Sequence, residues 1–142
     1  MTGSLKTLDL IKKRPVIKIL KIEDWMSKPV KSTTKDTPLR KAIKMMDEYN
    51  IGSLPVVEDE KPIGVLTERD ILRRVVAKDV DVDKKTVADV MTKSPVTIQH
   101  DASILEATRL MSENNFRRLL VVKNGKLIGV ATAKDIIEVM SA

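Results

Sequence analysis

The sequence predicts a mixed α/β (α+β) fold built from two copies of one β-α-β-β-α unit. The first observation is an internal repeat, since GVLTERDIL at 64–72 returns as GVATAKDII at 129–137, shifted by 65 positions. The second is that each copy carries apolar residues at helical spacing, followed by two short apolar runs separated by a turn. The period is longer than the roughly 20 to 50 residues of common solenoid repeats. We therefore expect two small subdomains that form one pseudo-twofold module.

The repeat divides the chain into four parts. Residues 1–21 lie outside it as an N-terminal extension, in which Val16–Leu20 alternates like a short strand. The first copy is expected over 22–76 and the second over 87–142. The polar residues between them, 77–86, are expected to connect the copies.

Each copy begins with the same two elements. A short helical turn is expected around Ile22 to Met26, and again around Val87 to Met91, followed by an extended stretch. An amphipathic helix comes next, because apolar side chains recur at spacings of three and four. The residues that carry this pattern are Leu39, Ala42, Ile43, Met46 and Tyr49 in the first copy, and Ile104, Ala107, Thr108 and Met111 in the second.

Aspartates precede both helices. Asp36 and Asp101 occupy equivalent positions, where carboxylates could satisfy the unpaired amides or the dipole of the helix. Each helix leads into a predicted antiparallel hairpin. In the second copy the turn is Asn124-Gly125, a strong hairpin signal because both residues tolerate positive φ.

The most informative motif is Gly-x-x-Thr-x-x-Asp, at the junction of the last strand and the last helix of each copy. Thr67 with Asp70, and Thr132 with Asp135, have the spacing of a capping box, which would explain these residues without any ligand. A glycine inside an apolar strand, however, indicates close approach of another backbone or of a ligand. The junction could therefore be a nucleotide-binding site, in which the Asp accepts hydrogen bonds from the ribose hydroxyls and the helix amides face the phosphate. The motif alone leaves both interpretations open.

Composition narrows the classes of function. Hydrophobic content of 42% with charged content of 32% is typical of a folded protein. The absence of cysteine excludes disulfides and thiolate zinc sites, and a single histidine, His100, excludes an imidazole-rich metal site. With no apolar stretch near the ~20 residues of a membrane helix and no secretory signal, we expect a cytoplasmic protein without a membrane partner.

Three motifs, each present twice in the same order, resemble the CBS domain. They are KIEDWMSKPV, NIGSLPVV, KPIGVLTERDIL and their counterparts TVADVMTKSPV, NFRRLLVV, KLIGVATAKDII. Together they resemble the tandem CBS pair, or Bateman module, over residues 22 to 140. The resemblance implies two copies packed through their sheets, with two clefts that bind adenosine nucleotides such as AMP, ADP or ATP, or S-adenosylmethionine. It also implies a non-enzymatic regulatory role towards an unidentified partner protein, with no required cofactor.

The resemblance also assigns residues to two nucleotide sites, with no catalytic and no metal-binding residue. In each site an Asp would bind the ribose, a Thr would lie near ribose or phosphate, and basic side chains of the opposite copy would hold phosphate. The first site would comprise Met26, Lys31, Ile51, Gly52, Thr67, Asp70, Arg118 and Lys134. The second would comprise Met91, Val96, Phe116, Arg117, Thr132, Asp135 and Arg69.

The two sites are not equivalent in sequence. Arg117 stands where the first copy has Gly52, and Arg118 stands where it has Ser53. Because these positions flank the expected base pocket, we expect unequal affinities. The family also associates module to module, so we expect a homodimer, with Met45, Met46 and Met111 as apolar contributors.

Two other functions are compatible with parts of the sequence. Nucleic-acid binding would use the net charge of +6 and the cluster Lys12-Lys13-Arg14, but three aromatic residues offer little stacking surface. Nucleotide hydrolysis would need a P-loop or a nucleophile with its base, and neither pattern occurs.

Overall fold

A computed structural model describes residues 20–141, except for the side chain of Met140, and divides them into two compact units. One unit is Lys31–Pro95, and the other joins residues 20–30 to residues 96–141. The units therefore differ from the repeats. The opening segment of each repeat, 22–30 or 87–95, belongs to the unit that carries the body of the other repeat.

The unit Lys31–Pro95 contains one helix-flanked sheet. Helix α1 (Leu39–Glu48) leads to the hairpin of β1 (Ser53–Glu58) and β2 (Lys61–Thr67). Helix α2 (Glu68–Ile71) follows and continues as a π-helical turn, Leu72–Val76. The unit ends with a 3-10 turn (Val82–Lys84), α3 (Val87–Val90) and β3 (Thr92–Lys93). The strand order is β1-β2-β3, with both pairings antiparallel. The core consists of Leu39, Ala42, Met46, Leu54, Val56, Leu66, Val75, Val87, Val90 and Met91.

The second unit begins with a 3-10 turn, Ile22–Asp24. After the other unit, the chain continues with β4 (Thr97–Gln99), α4 (Ile104–Asn114), β5 (Arg118–Lys123), β6 (Lys126–Thr132) and α5 (Ala133–Ser141). The strand order is β4-β5-β6, parallel between β4 and β5 and antiparallel between β5 and β6. The core consists of Ile22, Ile98, Ile104, Ala107, Met111, Leu119, Val121, Ala131, Ile136 and Val139.

These elements confirm the predicted α/β (α+β) class and most of the predicted order. The second hairpin turns at Asn124-Gly125 with φ of 53° and 78°, as that dipeptide predicts. In the first repeat, the strand expected before α1 is reduced to an isolated parallel bridge between Thr33 and Val56, whereas β4 forms at the equivalent place in the second repeat. The strand expected at Val16–Leu20 lies outside the described residues except for Leu20.

Asp36 and Asp101 do not cap helices α1 and α4, so that part of their expected role was wrong. The N-cap of α4 is Ser103, whose hydroxyl accepts from the amide of Glu106 at 3.1 Å, and the N-cap of α1 is Pro38. Asp36 and Asp101 lie two residues before these caps and are exposed. The side chain at the N-cap is the one placed to accept from the amides of the first turn, and in α4 that side chain is Ser103.

Candidate functional site

The repeated motif forms a capping box at the strand–helix junction of each unit. The Thr67 hydroxyl accepts from the Asp70 amide at 3.1 Å, and Asp70 Oδ2 accepts from the Thr67 amide at 3.0 Å. In the other unit the corresponding distances between Thr132 and Asp135 are 3.2 and 2.8 Å. The capping interpretation is therefore confirmed, and it holds both carboxylates in one orientation.

Both carboxylates are buried, which capping alone does not require. Asp70 is 7% exposed and Asp135 is 8% exposed, although Asp is among the residues least often buried. A second hydroxyl reaches each one: Thr92 donates to Asp70 Oδ1 at 2.8 Å, and Ser27 donates to Asp135 Oδ1 at 3.4 Å. A carboxylate offers about four acceptor positions, so each Asp retains acceptor capacity beyond these bonds.

Sequence reasoning did not identify Ser27 and Thr92. They occupy equivalent positions in the two repeats, directly after Met26 and Met91, and both carry a hydroxyl. That matching chemistry was the available signal. Its partner could not be identified from sequence, because each hydroxyl bonds the Asp of the other repeat.

The strand glycines make room for methionine. A β-carbon on Gly64 would lie 2.7 Å from the sulfur of Met91 and 2.9 Å from the carbonyl oxygen of Thr92. A β-carbon on Gly129 would overlap the sulfur of Met26. The close approach expected at these glycines is therefore made by the chain itself, from the opening segment of the other repeat.

The structure distributes the predicted site residues over the two units. Met26 was assigned to the same site as Asp70, but it lies against Gly129 in the unit that contains Asp135. Met91, assigned with Asp135, lies in the unit of Asp70. The unit Lys31–Pro95 contains Lys31, Ile51, Gly52, Thr67, Arg69, Asp70 and Met91; the other contains Met26, Val96, Phe116, Arg117, Arg118, Thr132, Lys134 and Asp135.

In the unit that contains Asp70, the residues expected around the base have identifiable neighbours. The Lys31 ammonium lies 4.4 Å from the centroid of the Tyr49 ring, at cation–π distance. The carbonyl of Gly52 accepts from the Glu68 amide at 3.0 Å, so this glycine adjoins the first turn of α2. Ile51 is partly buried against the core.

The equivalent positions near Asp135 have the same backbone arrangement with different side chains. The carbonyl of Arg117 accepts from the Ala133 amide at 2.9 Å, which reproduces the bond between Gly52 and Glu68. Phe116 is 40% exposed, and the side chain of Arg117 is exposed. This junction therefore presents an aromatic ring and a cation.

Residues 20–141 contain neither a metal-binding cluster nor a membrane-spanning helix. That part of the chain contains no group of three or more Asp, Glu or His side chains placed to hold a metal ion. Its helices include none with the length and apolar character needed to cross a membrane. The single histidine, His100, is partly buried, and its Nδ1 lies 2.8 Å from Oε2 of Glu23.

Comparison with known proteins identifies the family. The family model described as "CBS domain" matches twice, at residues 22–77 and 87–142, so the chain belongs to the CBS family and carries a tandem CBS pair. An uncharacterized protein of Methanopyrus kandleri is 40% identical over 106 residues, which cover 73% of this chain and 54% of that protein. YlbB of Bacillus subtilis is 37% identical over 119 residues, which cover 82% of this chain and 79% of YlbB. The chain thus spans only about half the length of the Methanopyrus relative.

Solved structures of CBS pairs share the fold. CBSX2, from Arabidopsis thaliana, was solved in complex with AMP; it superposes with a TM-score of 0.73 at 28% identity, covering 85% of this chain and 96% of CBSX2. The CBS domain pair of protein MJ0100 was solved with 5'-methylthioadenosine and S-adenosyl-L-methionine. It superposes with a TM-score of 0.74 at 27% identity, covering 87% of this chain and 97% of that one.

Proposed function

We propose that this chain is a non-enzymatic regulatory module that binds an adenosine nucleotide, AMP, ADP or ATP, and modulates a partner protein. The observation that carries the proposal is the pair of buried, pre-oriented carboxylates, Asp70 and Asp135, at two matching strand–helix junctions. A buried carboxylate with spare acceptor positions is suited to the two adjacent hydroxyls of a ribose.

The capping boxes support this role because they fix the carboxylate before the ligand arrives. Thr67 and Thr132 each bond the amide of their Asp, while Oδ2 of that Asp bonds the Thr amide. Oδ1 accepts from the Thr92 or the Ser27 hydroxyl and retains capacity for a further donor. A pre-oriented acceptor loses little conformational entropy on binding, which favours affinity.

The structural relatives support the adenosine class. AMP, 5'-methylthioadenosine and S-adenosyl-L-methionine, which those CBS pairs hold, share an adenosine group and differ at the 5' position. The ribose diol is common to all three. S-adenosylmethionine is therefore the alternative ligand, and the 5' substituent is what distinguishes it from a nucleotide.

Calorimetric titration of the purified chain tests the proposal. We expect saturable heat with at least one of AMP, ADP and ATP, and little with the 2'-deoxy or guanosine analogues. Asp70→Asn with Asp135→Asn in one protein should abolish that heat. Heat with S-adenosylmethionine but with none of the nucleotides would show that the alternative ligand is the correct one. The absence of heat with every adenosine compound would refute the proposal.

We also propose a homodimer, but with different apolar contributors from those expected. Met46 and Met111 are 5% and 8% exposed in the cores of their units, so they are unsuited to a subunit contact, whereas Met45 is only partly buried. The large exposed apolar side chains of the second helices are Leu72, Val76 and Ile137, at 59, 61 and 61%. Light scattering should give twice the chain mass for the unaltered protein. A double variant, Leu72→Glu with Ile137→Glu, should give the mass of a single chain. A monomer mass for the unaltered chain would refute the dimer.

A further inference from the structure

The two matching carboxylates do not have matching surroundings. Asp70 Oδ1 accepts from the Thr92 hydroxyl at 2.8 Å and lies 3.9 Å from Nε of Arg74. Asp135 Oδ1 has the Ser27 hydroxyl at 3.4 Å, beyond the usual 2.5–3.0 Å of a hydroxyl bond. The position of Arg74 is occupied in the second repeat by Val139, an aliphatic side chain that cannot pair with a carboxylate.

Arg74 makes Asp70 part of a structural network. Its Nη1 donates to the carbonyls of Val90 and Met91 at 3.0 and 2.9 Å, the last turn of α3. Thr92, the next residue, bonds Asp70 itself. Asp70 and Arg74 together hold the segment Thr86–Lys93 against its unit, so a ribose would compete there with a short hydroxyl bond and with a nearby guanidinium.

A second difference concerns charge beside each junction. A β-carbon at position 52 would lie 3.2 Å from Cδ of Glu68, so the space beside Gly52 is occupied by a carboxylate. In the second repeat the equivalent pair is Arg117 and Ala133. The first repeat therefore has its large, negatively charged side chain on the helix, whereas the second has a large, positively charged side chain in the turn before the strand. Glu68 would therefore repel a phosphate at the first junction, and Ala133 leaves no counterpart of that carboxylate at the second.

We infer that the two carboxylates have different roles. Asp135, with Arg117 at the adjoining turn, binds the ribose of an anionic nucleotide. Asp70 has a structural role, because Thr92 and Arg74 occupy its carboxylate and Glu68 disfavours an anionic ligand beside it. This inference rests on the proposed function and makes it specific. It assigns Arg117 and Ala133 as residues that determine preference for an anionic ligand. The chain then binds one nucleotide tightly rather than two.

Asp135→Asn and Asp70→Asn form a matched pair, because both alter an equivalent capping box. Titration of the full chain with AMP and with ATP should give one tight equivalent. Asp135→Asn should weaken it about tenfold or more, the effect of a lost hydrogen bond to a charged group, whereas Asp70→Asn should change it less than about threefold. Without ligand, Asp70→Asn should lower the thermal midpoint more than Asp135→Asn does.

Exchange of the flanking residues provides a test on exposed or partly exposed positions. Ala133→Glu should weaken AMP binding at least severalfold, and Arg117→Gly should reduce the preference for ATP over adenosine. Two equal sites in the unaltered chain, or greater loss in Asp70→Asn than in Asp135→Asn, would overturn the inference and leave the proposed function intact. No heat with AMP or ATP from the unaltered chain would overturn the nucleotide proposal itself.

Discussion

At the residue scale, the glycines of the two motifs are explained by what packs on them. Gly64 meets both a side chain and a backbone atom, the sulfur of Met91 and the carbonyl oxygen of Thr92. The closest atoms at Gly129 all belong to the side chain of Met26. A methionine can change rotamer, but a strand carbonyl cannot move without disturbing its sheet.

The two glycines should therefore differ in how well they tolerate substitution by alanine. Gly64→Ala should lower the free energy of unfolding by about 1–3 kcal/mol, the usual cost of forcing an atom into a packed site. Gly129→Ala, its matched control, should cost less because Met26 can rearrange. Urea unfolding measures both; an equal or larger loss for Gly129→Ala would contradict this explanation.

At the element scale, the short opening segment of the first repeat is part of a folded unit. Ile22 is fully buried among core residues of the unit that contains α4 and β5, and Ser27 forms an antiparallel bridge with Val130 of β6. The second repeat has the same arrangement, with Val87 fully buried and β3 paired with β2. Each segment supplies an apolar side chain and a strand edge to the other repeat.

Ile22→Ala should accordingly be costly. Truncating a fully buried isoleucine destabilises a protein by about 2–5 kcal/mol. Lys21→Ala, at the neighbouring exposed position, should change stability by about 0.5 kcal/mol or less. Denaturant unfolding of both variants measures the contrast, and a mild effect of Ile22→Ala would show that the segment is dispensable.

The start of α3 should respond to acid. The backbone amide of Thr86, and then its hydroxyl, bond Asp89 and hold the pKa of that carboxyl below its usual 3.8. A lowered folded-state pKa contributes stability above the unfolded value, and this contribution is lost as pH falls through the folded pKa. The loss is therefore expected below about pH 4.

Asp89→Asn tests this acid response. The variant should be less stable than the unaltered chain at pH 5 to 7, and the difference should shrink as pH falls below about 4. Asp59→Asn, in the exposed β1–β2 turn, is the control. A difference between Asp89→Asn and the unaltered chain that stays constant down to pH 2 would rule out this carboxylate as the source.

At the scale of the whole chain, repeats and compact units divide the sequence differently. The family model matches residues 22–77 and 87–142, whereas the structural units are Lys31–Pro95 and residues 20–30 with 96–141. The core of the unit Lys31–Pro95 includes Val87, Val90 and Met91 from the second repeat. One repeat alone therefore lacks part of a core.

Two fragments of similar length should behave differently. A fragment of residues 31–95 retains the complete core, so it should show a cooperative thermal transition in circular dichroism. A fragment of residues 22–77 lacks three core side chains and should not, because chains of this size have little stability to lose. Cooperative unfolding of 22–77 together with a disordered 31–95 would contradict this division.

The sequence by itself determined the elements whose causes are local. Thr67 and Asp70 cap a helix because they stand three residues apart, Asn124-Gly125 turns because both tolerate positive φ, and the repeat identified the CBS family. The tertiary structure decided which repeat each opening segment joins, that methionines fill the space at Gly64 and Gly129, and that Ser27 and Thr92 reach the buried carboxylates. Those outcomes depend on contacts between distant residues, such as Ser27 and Asp135, which are 108 positions apart, and local periodicity contains no information about such pairings.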